Sequence, residues 1–150
     1  MAAVHKLVLD DFLEDNFILL AIHSPLEPYR LAYELNKILH IQLKYHKQLD
    51  AYDLYEYEDE KSQILWNLIN NKTINSLEEK QKPSTLFQQE TNTIKYLVPE
   101  YKKTDYFIKI SDSVIAVDNI ISKIKAIPQI ITTFAIATDT LKSKNNLIFY

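Results

Sequence analysis

One hundred and fifty residues, 47% of them hydrophobic and 25% charged, suit a single folded domain with one real core. A net charge of -3, with Arg30 the lone arginine, argues against a module that works by neutralising phosphates. The chain has no cysteine and no glycine, which excludes thiol chemistry, thiolate metal sites, and the Rossmann, P-loop and G-x-S-x-G turns that need a residue without Cβ. Left-handed turn positions then fall to Asn or Asp, and Asn70-Asn71 and Asn145-Asn146 are the expected places. No stretch reaches the roughly eighteen consecutive apolar residues of a membrane-spanning helix, and the basic start and apolar core of a signal peptide are absent. A cytoplasmic location without membrane association is expected.

His5 to Leu9 alternates around Leu7 and Leu9 and predicts a first strand. Asp10, Asp11, Glu14 and Asp15 form an acidic turn, and Phe17 to His23 is an apolar run that predicts a strand covered on both sides. Ser24-Pro25-Leu26-Glu27 reads as a capping box with Pro25 at the first helical position, opening a helix to about His40. Its predicted inner face is Tyr29, Ala32, Leu35, Ile38 and Leu39. Ile41, Leu43 and Tyr45 predict a strand directly after it. Tyr52 to Tyr57 and Gln63 to Ile69 predict two more strands around the acidic turn Glu58-Asp59-Glu60, with Trp66 in the core. Residues 71–89 are polar, contain Pro83, and predict a long loop into which Leu86 and Phe87 dip back. Thr93 to Val98 and Asp105 to Ile110 predict strands interrupted by Pro99. A second helix follows Ser111-Asp112-Ser113, with Ile120, Ile121, Ile124 and Ile127 inward, and stops before Pro128. Ile130 to Ile136 is the last predicted strand, and residues 141–150 are a tail.

The segments beginning Asp15-Asn16-Phe17-Ile18 and Asp105-Tyr106-Phe107-Ile108 each lead through strand, helix and strand. Two such units with extra strands predict one α+β domain over residues 1–150. Its expected plan is a ferredoxin-like, mostly antiparallel sheet with two helices on one face and inserted hairpin strands.

Val98-Pro99-Glu100, then three residues, then Thr104-Asp105-Tyr106 resembles the signature of the IPExxxVDY family, small proteins of unknown function from the Bacteroidota. Val98 and Thr104 stand where the family name has Ile and Val, so both positions stay β-branched. His5-Lys6-Leu7, the run Glu56 to Lys61 followed by Trp66, and Leu141-Lys142-Ser143-Lys144 extend the resemblance along the chain. It implies no activity, cofactor or catalytic residue.

Glu100, Asp105 and Tyr106 would serve as an acid/base set if a shifted carboxylate met the phenol. The alternative has both carboxylates at strand ends, bonded to backbone or lysine, with Tyr106 packed. His23 precedes the first helix, and with Arg30 could hold an anion near its N-terminus. The four histidines show no metal-binding spacing, so no metal and no cofactor are expected. Tyr55, Tyr57 and Glu58 lie in an acidic, tyrosine-rich hairpin suited to a basic partner. The tail, with Phe149 near its end, either docks on its own sheet or is offered to a partner by strand addition.

The expectation is a non-enzymatic interaction or adaptor protein, binding a protein partner or a second copy through the hairpin, through Pro99, Glu100, Asp105 and Tyr106 in the signature loop, or through the tail. The alternative is an ACT-like regulatory domain binding a small molecule near His23 and Arg30, although such domains bind through a glycine-containing turn that this chain lacks. An enzyme built on Glu100 and Asp105 is the third. Nucleic-acid binding is not expected.

Overall fold

The computed structural model describes residues 17–76, 92–111 and 115–149. Strand β1 (Ile18–His23) leads into helix α1 (Pro28–Leu39), followed by β2 (Lys44–Leu49), β3 (Tyr52–Asp59) and β4 (Ile64–Asn70). A short ribbon pairs β5 (Lys72–Ser76) with β6 (Asn92–Tyr96). Then come β7 (Tyr106–Ile110), helix α2 (Val117–Lys125) and β8 (Thr132–Ile136). The fold is α+β: six strands in the order β2-β3-β4-β7-β1-β8, every neighbouring pair antiparallel. Because β7 and β8 both run against β1, they are parallel to each other, and α2 crosses between them.

Period-2 alternation sends each strand's side chains to two faces. Leu20, Ile22, Trp66, Leu68, Ile108 and Ile110 meet α1 and α2 on one face, so both helices lie on the same side of the sheet. Leu19, Ala21, Leu54, Ile69 and Phe107 meet Leu97, Val98, Leu141 and Leu147 on the other. That second face is roofed by loop and tail rather than by helix. The apolar run at β1 is thus buried on both sides, as its pattern predicts.

The helix starts later than the Ser24 capping box implies. Glu27 is the N-cap and Pro28, not Pro25, opens the helix. Ser24 is occupied elsewhere: its N–H donates to Asp105 Oδ2 (2.9 Å), and its hydroxyl donates to the Gln129 carbonyl and accepts from the Leu26 N–H. Leu31, Ala32 and Leu35 form the buried stripe, whereas Tyr29 is 62% exposed. Asn36 then fixes the exit from the helix, its amide donating to the Leu43 carbonyl (3.0 Å) and accepting from the Leu43 N–H (2.7 Å). Ile41 and Leu43 are buried in that link, so β2 begins at Lys44 rather than directly after the helix. Among the described residues the left-handed positions are His40 (φ 56), Asp50 (φ 54) and Gln63 (φ 58), not the Asn pairs. They sit where α1 ends and where β2–β3 and β3–β4 turn.

Residues 72–76, read as loop from their polarity, form β5. The ribbon pairs Ile74 with Ile94 and Lys72 with Tyr96. The cause lies at Asn71, between β4 and β5, which is 0% exposed. Its Nδ2 donates to the carbonyls of Tyr101 (2.8 Å) and Thr104 (2.9 Å), and its Oδ1 accepts the Val98 N–H (2.8 Å). Its backbone N–H donates to the Asp105 carbonyl, and its carbonyl accepts from Leu97. The predicted strand at residues 5–9, the acidic turn that follows it, residues 77–89 of the predicted loop and the cap residues 112–113 lie outside the described residues. The residue seen at the α2 N-cap is Ala116, which makes no side-chain cap bond. Pro128 follows the last helical residue by three positions and ends α2 as expected.

Asn71→Ala leaves the buried Val98 N–H and the buried Thr104 carbonyl unpaired and strips the Tyr101 carbonyl of one of its two donors, so it is expected to lower stability by roughly 3 kcal/mol. Asn71→Asp is not expected to rescue it, because a carboxylate would face two carbonyl oxygens. Urea denaturation checks both; a loss under about 1 kcal/mol for the alanine variant contradicts the assignment.

Candidate functional site

The loop from Val98 to Asp105 joins the ribbon to β7. Pro99–Tyr101 is a 3-10 turn opened by the proline, closed by the Tyr101 N–H donating to the Val98 carbonyl (3.0 Å). Glu100 points at the tail. Its carboxylate accepts the N–H of Lys142 (2.9 Å), the N–H of Ser143 (3.1 Å) and the Ser143 hydroxyl (2.8 Å). Partial burial alone would raise the Glu100 carboxyl, but the Ser143 hydroxyl and the Ser143 and Lys142 amides outweigh it and hold the group below its ordinary value.

Thr104 is buried, with its hydroxyl 3.2 Å from His23 Nε2. Asp105 grips the start of the β1–α1 connection through Ser24, and its other oxygen lies 3.5 Å from Lys72 Nζ. The Tyr106 hydroxyl donates to the Leu26 carbonyl (2.6 Å), and burial, reinforced by the Asp105 charge, pushes the phenol far up. The phenol therefore stays protonated across the physiological range.

The acid/base set does not converge. Tyr106 belongs to the helix-side core, while Glu100 holds the tail whose Leu141 and Leu147 pack on the opposite face. The geometry matches the alternative, strand-end carboxylates bonded to backbone and lysine beside a packed tyrosine. His23 and Arg30 are likewise separated. His23 shares the Leu19–Ala21 face and stacks near Phe134 at 6.1 Å, whereas Arg30 rides exposed on α1, across the sheet. No anion site forms between them.

In the hairpin, Tyr55 and Tyr57 pack against the helix-side core, and Tyr55 meets Tyr45 edge to face at 5.7 Å. Glu58 is exposed. Asp59 closes the turn by accepting the Ser62 hydroxyl and the Lys61 N–H, which hold its carboxyl down. The tail docks at home, but as a 3-10 turn (Lys144–Leu147) rather than a strand. Lys109, which alternation alone would send to solvent, donates to the Leu147 carbonyl (2.7 Å) and lies over the rings of Phe17 (4.9 Å) and Phe149 (5.1 Å).

Among the open grooves of the described residues, one of about 480 Å³ lies outside the loop, lined by His23, Pro99, Tyr101, Thr132 and Phe134, with Glu100, Lys102 and Lys103 also on its wall. Tyr101 and Phe134 lie 6.2 Å apart, centroid to centroid. The groove abuts β8, the last strand of the sheet among the described residues. Beside it Ile131 is 75% exposed. The sequence places Phe134 in the last predicted strand, but nothing local marks it or Tyr101 as a site residue, because only the fold brings loop and strand together.

Among the described residues no cluster of three or more His, Asp or Glu side chains is placed to hold a metal, and no helix is long and apolar enough to cross a membrane. No family model, no characterised protein and no solved structure matches the chain.

Glu100 gives a pH signature. Its carboxyl is lowered on folding, so its latch is complete above the ordinary glutamate value of 4.5 and is lost as the pH falls through the folded value. Hydrogen exchange across residues 141–149 is expected to accelerate over that acid window. Glu100→Gln is expected to cost about 1 kcal/mol at neutral pH and to flatten the acid dependence. Exchange with the same acid dependence in Glu100→Gln would contradict the latch.

Proposed function

We propose that this chain is a cytoplasmic, non-enzymatic protein–protein interaction module whose contact surface is the groove between the signature loop and β8. The observation that carries this reading is how the signature polar groups are spent. Glu100, Thr104, Asp105 and Tyr106 each bond to groups of this chain, Glu100 at the surface and the others further in, and the groove beside them is lined largely by apolar surface, with lysines next to it. Aromatic side chains beside β8, which has no outer neighbour among the described residues, are the kind of anchor that protein interfaces favour. The strand order β8-β1-β7-β4, with β2–β3 as an inserted hairpin, supports a ferredoxin-like plan. The pattern Val-Pro-Glu-x-x-x-Thr-Asp-Tyr supports membership of the IPExxxVDY family.

The groove is also of a size that takes a small ligand, which keeps the ACT-like alternative in view. Phe134→Asp separates the two. Under the interaction reading, a protein recovered in stoichiometric amount at native expression level is lost by at least about tenfold in this variant, with the melting temperature retained. Tyr57→Ala with Glu58→Lys is the comparison: loss of capture there, and not in Phe134→Asp, would move the contact surface to the hairpin. A thermal shift with an amino acid or nucleotide, abolished by Phe134→Asp in a chain that captures no protein, would establish the small-molecule alternative.

A further inference from the structure

We infer that the occupant of the groove is a proline-rich segment of another protein, laid across the ring of Phe134 in the polyproline II conformation. The inference rests on the interaction reading above and names the chemistry of its partner. Phe134 is the middle of three rings. His23 lies 6.1 Å from it, tilted by 40°, and Tyr101 lies 6.2 Å from it, tilted by 45°. The rings neither stack flat nor meet edge to face, so a wedge remains between each pair, and Pro99 lines the same groove. His23 and Phe134 come from neighbouring strands, and Pro99 and Tyr101 from the 3-10 turn. The row is therefore set by the scaffold and is not assembled by a ligand, which lowers the cost of binding.

The polar groups of the groove select the occupant. On the loop side the acceptors are committed. The Glu100 carboxylate accepts from Lys142 and Ser143, and the Tyr101 carbonyl accepts from Asn71 and Thr104. The Thr104 hydroxyl is engaged with His23 Nε2. An ordinary peptide laid against this wall brings backbone N–H groups that lose water and gain no acceptor there, which is unfavourable. Proline brings no N–H. Its ring offers an apolar face to aromatic walls, and its fixed φ leaves little chain entropy to lose on binding. One turn of polyproline II, three residues rising about 3.1 Å each, also has the length scale of the ring row.

The other wall is β8, which has no outer neighbour among the described residues, so strand addition is the competing mode. Strand addition needs N–H groups on the incoming chain, and proline removes them. The two modes are thereby separable.

Titration of the full chain with a synthetic proline-rich peptide, followed residue by residue by NMR, tests this. Binding with a dissociation constant of roughly 100 µM is expected, with the largest shifts at Tyr101, Thr132 and Phe134. Replacing every proline of the peptide by alanine is expected to weaken binding at least about tenfold. Phe134→Ala is expected to do the same, and Phe134→Tyr, which keeps the ring, is expected to retain binding. If Phe134→Ala fails to fold, the shifts of the unsubstituted chain with the two peptides decide alone. Absence of shifts in the groove, equal binding of the alanine peptide, or tighter binding of a strand-forming peptide without proline overturns the inference. A protein captured through Phe134 that contains no proline-rich segment overturns only the proline assignment; a chain that captures neither protein nor peptide overturns the interaction reading too.

Discussion

A single buried amide sets the geometry of this protein. Asn71 has no contact with water, so each of its donors and acceptors must find a partner in the protein, and each does. Those partners run from Leu97 to Asp105, which fixes the whole connection between ribbon and β7. The constraint then spreads. Asp105 passes it to Ser24 and the start of the first helical connection, and Glu100 passes it to Lys142 and Ser143 in the tail. Segments about a hundred residues apart in the chain are thereby brought into register through one loop.

This accounts for how a stretch rich in ionisable groups comes to be engaged in bonds within the fold. A carboxylate is an effective acceptor for backbone N–H groups that no helix or sheet satisfies, and such bonds stabilise its charged form. Glu100 and Asp105 each sit where chain segments leave their elements with free N–H groups. Tyr106 is a core residue with one polar atom, and Leu26 supplies its acceptor. The two ends of the motif serve opposite sides of the sheet, which is incompatible with a shared reacting centre.

Periodicity made the strands and helices readable: the apolar run of β1, the hairpin around Glu58 to Glu60, and the isoleucine stripe of α2 were all visible. What was hidden depends on tertiary partners. Nothing local distinguishes Asn71 from a turn asparagine, and its burial follows only once the loop folds over it. Alternation alone cannot show what Lys109 meets, because its partners come from both ends of the described chain: the tail brings the Leu147 carbonyl and the Phe149 ring, and Phe17 ahead of β1 brings the other ring. Ser24 looked like a helix cap because the competing claim of Asp105 lies eighty-one residues away. The candidate site shared this fate: its aromatic members come from separate elements, the loop and β8, and only the sheet unites them.

Among the described residues, the three left-handed ones, His40, Asp50 and Gln63, have a further meaning. Each keeps a Cβ in a region of backbone space that costs an ordinary residue about 1 kcal/mol or more. A chain without glycine carries that burden at every reversal it cannot avoid, so its scaffold has unused headroom. Relieving these three corners would toughen the protein without touching the groove, the loop or the tail.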